Sequence, residues 1–257
     1  MANKIPLSVV ILTKNEASRI RDAIASVGWA DEVLVIDDES TDETAAIAQS
    51  LGARVLRRKM DIEGRHRNWA NAQAKNDWIL SLDADERVSP ELAEELAQLF
   101  TGGQPQHETY AMPRKNYLGS RWIRHGGWYP SQQLKLFKRT VFRWEEATVH
   151  PRALSDSFCG LLTKDLIHYT YRDIKDYVDK MNRQTSLEAQ KWVTDGRKIP
   201  FSKALWRTID RFFRAYVGKQ GWRDGTLGFI LAAMGGWYQL ISFAKYMEFK
   251  QTPSGQT

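Results

Sequence analysis

The stretch Trp78-Ile79-Leu80-Ser81-Leu82-Asp83-Ala84-Asp85-Glu86 runs an apolar segment straight into three acids. A buried strand cannot hold three carboxylates in its core, so Asp83, Asp85 and Glu86 are expected to emerge where the strand ends. In an open parallel α/β sheet, ligands bind at the carboxyl ends of the strands. Two acids two residues apart at such an edge can share one hard divalent cation, and that cation can hold a diphosphate. The other reading is a polar turn into the next helix, because Ser89-Pro90-Glu91 supplies an N-cap followed by Pro at the first helical position. The neighbouring segments favour the first reading.

Those segments alternate strand-like and helix-like patterns over the first hundred residues. Leu7 to Leu12 reads as a buried strand, with a helix from about Glu16 to Val27. Glu32 to Asp37 is a second strand, and Ser40-Thr41-Asp42-Glu43 reads as a capping box opening the next helix. Arg54 to Leu56 makes a third strand, and a helix near Arg65 to Lys75 leads into the acid-terminated fourth. This rhythm predicts an α/β fold with a mostly parallel sheet covered on both faces. Three strand ends then carry polar residues: Thr13-Lys14-Asn15-Glu16, Asp37 to Asp42, and Asp83 to Glu86. Parallel strands bring them to one edge, with Arg67-Asn68 early in a helix between them.

After Phe100 the rhythm gives way to mixed strands and long loops rich in Trp, Tyr and Gly as far as about His168. Helical patterns return at 174–192, 202–217 and 225–249, and the polar tail 251–257 is expected to be disordered. The expected organisation is a domain over 1–172 in two halves, 1–100 and 101–172. A helical extension follows over 173–250.

An apolar content of 42% suits a globular chain with a real core, and the single Cys159 excludes an internal disulfide or a Cys-rich zinc site. Leu7 to Leu12 is too short for a signal peptide's apolar region, which predicts a cytoplasmic location. The net charge of +6 is concentrated between Arg197 and Arg223, where Asp210 is the one acid among eight bases. In a helix over 202–217, Leu205, Ile209, Phe212, Phe213 and Tyr216 form one apolar face flanked by Lys203, Arg207, Arg211 and Arg214. That pattern suits an anionic membrane surface, or packing within an oligomer. Leu227 to Ala244 sits at the lower length limit for a span and carries Gln239 and Ser242, so a buried or interfacial helix is expected there.

Val10 to Glu16, Val35 to Thr44, Arg67-Asn68 and Leu82 to Glu86 together resemble the family 2 glycosyltransferases, inverting enzymes of the GT-A (Rossmann-like) fold that use nucleotide-diphospho-sugars. The resemblance implies that Thr13, Asn15 and Glu16 meet the nucleoside and that Asp38, with Asp37 beside it, holds the base. It implies that Arg67 helps hold base or diphosphate, that Asp83 faces the ribose and that Asp85 binds a divalent metal (Mg²⁺ or Mn²⁺). UDP-sugars are the favoured donors, and His168 is a further candidate metal or diphosphate ligand. His125 to Pro130, Leu134 to Arg139, Val149-His150, His168 to Tyr171 and Asp176 to Arg183 are similar to the lipopolysaccharide inner-core glucosyltransferase subgroup. That subgroup implies a lipid-linked glycan acceptor and a peripheral place on the inner face of the cytoplasmic membrane.

The chain departs from the subgroup at Ser131 and Pro151, each standing where an acid is usual. The general base is then expected among Glu146, His150 and Glu145, with a solvated acidic pair as the bland alternative for the two glutamates. A sugar-phosphate nucleotidyltransferase would need a Gly-rich loop after the first strand, and Thr13-Lys14-Asn15-Glu16 has no glycine. A nucleic-acid binder would leave the converging acids without a purpose, so no nucleic-acid partner is expected. The nearer rival keeps the fold and takes a polyprenyl phosphate or a peptide as acceptor. His66 and His107 carry no motif and are expected at the surface.

Overall fold

The computed structural model describes residues 4–101, 103–147 and 151–251. The chain divides into two compact units, Met1–Arg114 with Ser131–His168, and Lys115–Pro130 with Tyr169–Thr257.

The first unit opens with β1 (Ile5–Thr13), α1 (Ala17–Ala25), β2 (Ala30–Asp37), α2 (Thr44–Ser50), β3 (Arg54–Arg57), α3 (Glu63–Ala72) and β4 (Trp78–Asp83). It continues with β5 (Glu86–Val88), α4 (Pro90–Thr101) and β6 (Thr109–Met112). Strand β7 (Arg114–Leu118) leads into the second unit's first segment, which carries β8 (Arg121–Ile123). Back in the first unit lie β9 (Gln133–Lys138), β10 (Phe142–Trp144), β11 (Ala153–Ser155), β12 (Cys159–Leu161) and the start of β13 (Leu166–Tyr171). Among the described residues, seven strands form one sheet in the order β12-β6-β9-β4-β1-β2-β3. Only β9 runs antiparallel to its neighbours, so the expected mostly parallel α/β sheet is present.

Why β1 lies centrally is visible in its side chains, which are buried on both faces. Leu7, Val9 and Ile11 join α1, α2 and α4 in one core through Ile20, Ala48, Leu92 and Leu96. Val10 joins Leu34, Ile36, Ile79 and Phe137 on the other face, covered by Ala70 of α3. At α4 the expected cap forms, with Ser89 Oγ accepting from Leu92 N at 3.1 Å. The capping box expected from Ser40 to Glu43 does not. Helix α2 starts only at Thr44, because Ser40 Oγ instead accepts from Asn15 N at 2.9 Å, across the loops.

The second unit pairs β7 with β8 and packs three helices, α5 (Ile174–Thr194), α6 (Phe201–Phe213) and α7 (Gly225–Gln251). Between α6 and α7 the chain makes a π-turn over Arg214–Gly218 and a short 3₁₀ turn over Gly221–Asp224. Helix α7 approaches α6 closely at Gly236, where an added Cβ would sit 2.8 Å from Thr208 O. On its α5 side, Lys245 Nζ donates to Thr185 Oγ1 at 2.9 Å and Ser186 Oγ at 2.8 Å. Gly221–Gln251 is long and apolar enough to cross a bilayer by length and composition, yet Leu231, Ala232, Phe243 and Tyr246 are spent on protein packing. The apolar face expected over 202–217 is split. Phe212 and Tyr216 turn onto Phe229 of α7, with ring centroids 5.7 and 5.6 Å apart, while Leu205, Ile209 and Phe213 stay exposed beside Trp206 and Val217.

One glycine fixes how α3 meets the loop after β10. An added Cβ at Gly64 would lie 1.8 Å from Glu145 O, a backbone atom with no side chain to swing aside. Gly64→Ala is expected to force the helix and that loop apart at a cost of about 1–3 kcal/mol. A thermal melt should drop by several degrees, at roughly 2–4 °C per kcal/mol for a chain of this size.

Candidate active site

The β1, β2 and β4 ends stand level. Thr13 registers with Asp37 and Leu12 with Asp83, Asp38 N donates to Thr13 O at 2.9 Å, and Ala84 N donates to Leu12 O at 3.2 Å. The loops leaving β1 and β2 are stitched together. Thr41 N donates to Asn15 Oδ1 at 2.8 Å, Glu16 N to Thr44 Oγ1 at 2.8 Å, and Ala17 N to Asp42 Oδ2 at 3.1 Å. Asn15 and Glu39 adopt left-handed backbone, φ 53° and 51°, a conformation Asn tolerates through local hydrogen bonds and Glu seldom takes.

The paired acids Asp37 and Asp38 have different surroundings. Asp37 is fully buried, accepts from Ser40 N and pairs with Arg57 Nε at 3.4 Å, so it holds the loop. Asp38 accepts from Met60 N at 2.7 Å and Lys14 Nζ at 2.9 Å. Burial opposes its ionisation, but the Met60 amide and the Lys14 ammonium outweigh it and hold the carboxyl below its ordinary range.

Beyond β4 the three acids part company. Glu86 does not emerge at the strand end as expected. It is 0% exposed, at the head of β5. Its Oε2 accepts from Lys135 Nζ at 2.7 Å and from Asp83 N at 3.0 Å, and its Oε1 lies 3.3 Å from Arg114 Nη1. Lys135 Nζ also reaches Asp83 Oδ2 at 2.9 Å, while Arg67 Nη2 donates to Asp83 Oδ1 at 3.0 Å and Arg67 Nε to Glu63 Oε1 at 3.0 Å. Burial disfavours charge on Asp83, but Arg67 and Lys135 overcome it and drive its carboxyl far below the usual range. Burial likewise works against the Lys135 charge, and Asp83 and Glu86 raise its pKa on balance.

Asp85 lies outside this network. Its Oδ2 is 3.4 Å from His168 Nε2 and 3.9 Å from Arg19 Nη1. Antiparallel pairing of β13 with β5 sets His168 opposite Glu86, and so beside Asp85, 83 positions away in sequence. The candidate bases differ in how firmly they are held. Arg152 forks onto Glu145 through two bonds, 2.9 and 2.8 Å, whereas Glu146 is 56% exposed and, among the described residues, pairs with Arg65 at 3.3 Å. His150 lies outside the described residues. Sequence reasoning missed Lys135 as an internal partner and also misplaced His66, which is buried rather than on the surface. Burial, then Arg58, lowers its pKa, with Asp38 opposing.

The family model for Glycosyl transferase family 2 matches residues 8–158, the span holding almost all of these groups. The chain belongs to that family. An uncharacterized glycosyltransferase of Rickettsia felis is 31% identical over 94% of this chain and 89% of its own length. The lipopolysaccharide core biosynthesis glycosyltransferase LpsC of Rhizobium meliloti is 27% identical over 95% of this chain and 93% of its own. The structure of S. aureus TarS residues 1–349 aligns with a TM-score of 0.47 at 15% identity, covering 97% and 93% of the two chains.

In this glycosyltransferase the Asp83 charge makes a pH-dependent contribution whose sign is fixed. A depressed carboxyl adds stability above the unfolded pKa of about 4, and loses it as pH falls below that value. Asp83→Asn, which leaves Lys135 and Arg67 undercompensated, should lower stability near pH 7 by about 3 kcal/mol. Urea midpoints compared with wild type should show that gap narrowing as pH drops through the carboxylate range.

Proposed function

We propose that this glycosyltransferase moves a sugar, with inversion, from a nucleotide-diphospho-sugar to a hydroxyl of a lipid-linked glycan, with lipopolysaccharide core as the acceptor class. The observation that carries the donor side is the level alignment of the β1, β2 and β4 ends, with Asp38, Asp83 and Asp85 at one sheet edge. Thr13, Asn15 and Glu16 border the nucleoside, Asp38 with Asp37 behind it holds the base, and Arg67 and Asp83 meet ribose and diphosphate. A UDP-sugar is the favoured donor. Similarity to LpsC over 95% of the chain supports the acceptor class.

The donor chemistry at Asp85 fits Mg²⁺ or Mn²⁺. A carboxylate oxygen suits either ion, and an imidazole nitrogen 3.4 Å from it suits Mn²⁺ better than the harder Mg²⁺. No group of three or more His, Cys, Asp or Glu side chains able to hold a metal occurs among the described residues, so diphosphate oxygens and water would have to complete the ion's shell. When bound, the ion neutralises charge on the departing diphosphate. Glu146 is the preferred base, because its carboxylate is the less firmly occupied of the two. It would take the acceptor hydroxyl's proton during attack, a contribution of about 10²–10⁴-fold. Glu145, pinned by Arg152, and His150 are the alternatives.

The exposed apolar row of α6, with Trp206 at 67% exposure, lies among Lys203, Arg207, Arg211 and Arg214. Aromatic and aliphatic side chains flanked by bases suit the interface of an anionic bilayer. This would hold the enzyme on the cytoplasmic membrane surface near a lipid-linked acceptor.

Asp85→Ala should abolish transfer and metal-dependent nucleotide binding while leaving the fold intact, since Asp85 stands outside the buried charge network. A thermal-shift screen with UDP-sugars and manganese reads this directly. A ligand at 100 times its Kd adds about 2.7 kcal/mol in wild type, and the variant should show no shift. Full activity of the variant would remove the metal assignment. For the membrane, wild type should float with anionic vesicles at low salt, and the triple change Arg207→Glu, Arg211→Glu, Arg214→Glu should stay at the bottom. Absence of flotation together with a stable oligomer would assign the α6 face to assembly.

A further inference from the structure

The second unit contains a cavity of about 420 Å³ between the loop carrying Arg124 to Pro130 and the turn at Gly218 to Gln220. Its walls are rigidly made. His125 is gripped twice by the buried Asp224, through its backbone N at 2.8 Å and its Nδ1 at 3.0 Å. Gly126 N donates to Lys219 O at 2.8 Å, which ties the loop to the turn. Gly127 is favoured by its backbone, with φ at +87°, and the Lys219 side chain runs along it, Cδ and Nζ lying 2.7 and 2.9 Å from where a Cβ would sit.

Lys219 lies along Gly127 and remains exposed, as does Arg124. A surface lysine loses up to about 2 kcal/mol of rotamer freedom when laid down, and an acid partner usually offsets this. No carboxylate pairs with Lys219 among the described residues, nor with Arg124. Arg124 lies over the Trp122 ring at 4.5 Å, which occupies the guanidinium face and leaves its N–H edges for an acceptor. Trp122 in turn meets Tyr129 edge-on at 5.3 Å, adding an aromatic wall. Asp224 engages His125 Nδ1, so Nε2 is the polar ring atom left to a ligand.

We infer that this cavity binds a phosphate monoester, with Arg124 and Lys219 bracketing the dianion and His125 supplying a third polar contact. The ligand is a phosphorylated saccharide or a phosphorylated lipid headgroup. Two separated cations suit a dianion's several oxygens better than a single carboxylate. The assignment rests on the second unit alone and does not depend on the donor reading.

Calorimetric titration of the full chain at low ionic strength tests it, using glucose 6-phosphate, inorganic phosphate and glucose as probes. Glucose 6-phosphate should bind and glucose should not. The pair Arg124→Ala, Lys219→Ala should weaken binding at least tenfold, about 1.4 kcal/mol, while Asp85→Ala leaves it unchanged. Lys219→Glu, with a thermal melt matching wild type, guards against a folding artefact and should abolish binding. Flotation with phosphatidic acid vesicles separates the sources. Lys219-dependent flotation without sugar-phosphate binding assigns the site to a headgroup, and the converse assigns it to a saccharide. Equal binding by the double variant, loss in Asp85→Ala alone, or no binding of either probe class would overturn the proposal.

Discussion

A buried lysine ammonium between the buried Glu86 carboxylate and the partly buried Asp83 carboxylate holds the candidate active-site edge of this glycosyltransferase together. Lys135 comes from β9, Asp83 from the end of β4 and Glu86 from β5, so one cation joins three strands. Each charge would be costly in isolation, since stripping water from an ion costs several kcal/mol. Together with Arg67 and Arg114 they satisfy one another, and the sheet can place acids inside its own edge. Removing any member strands the others, so the network constrains β4, β5 and β9 as a set.

This constraint separates two kinds of acid that look alike in sequence. Asp37, Asp83 and Glu86 spend their lone pairs mainly on neighbouring donors and shape the loops. Asp38 is engaged in the same way by Met60 N and Lys14 Nζ, whereas Asp85 stands beside this frame near His168 and Arg19. The stitched loops add to this rigidity, because Asn15, Ser40, Asp42 and Thr44 trade hydrogen bonds between the β1 and β2 connections. Groups held in this way lose little further freedom when a ligand arrives, which favours binding.

The second unit follows a different economy. Its long helix α7 faces α5 and α6 at once, and glycines and small side chains let the backbones approach. Packing takes one flank of α6 and leaves Leu205, Trp206, Ile209 and Phe213 facing outward. Phe201, Trp222 and Trp237 of the same unit are exposed as well.

Much of this was legible in the residues themselves. Continuous apolar runs located β1 to β4, and helical patterns located the three C-terminal helices, to within a few residues, because apolar runs and amphipathic stripes are local properties. Thr13 to Glu16, Asp37-Asp38 and Asp83 to Asp85 were legible as one edge because parallel strands must bring their ends together. What only tertiary structure decided is which charges meet. Lys135 reads as one base in an apolar strand until antiparallel pairing with β4 sets it against Asp83. His168 reaches Asp85 only through the β13–β5 pairing, and Phe212 leaves the α6 apolar row only because Phe229 of α7 is there to receive it. Sequence periodicity carries the direction a side chain points along its own element. It does not carry the partner supplied by another element, 17 residues away for Phe212 and 52 or more for Lys135 and His168, and for charges and aromatic faces that partner determines the energy.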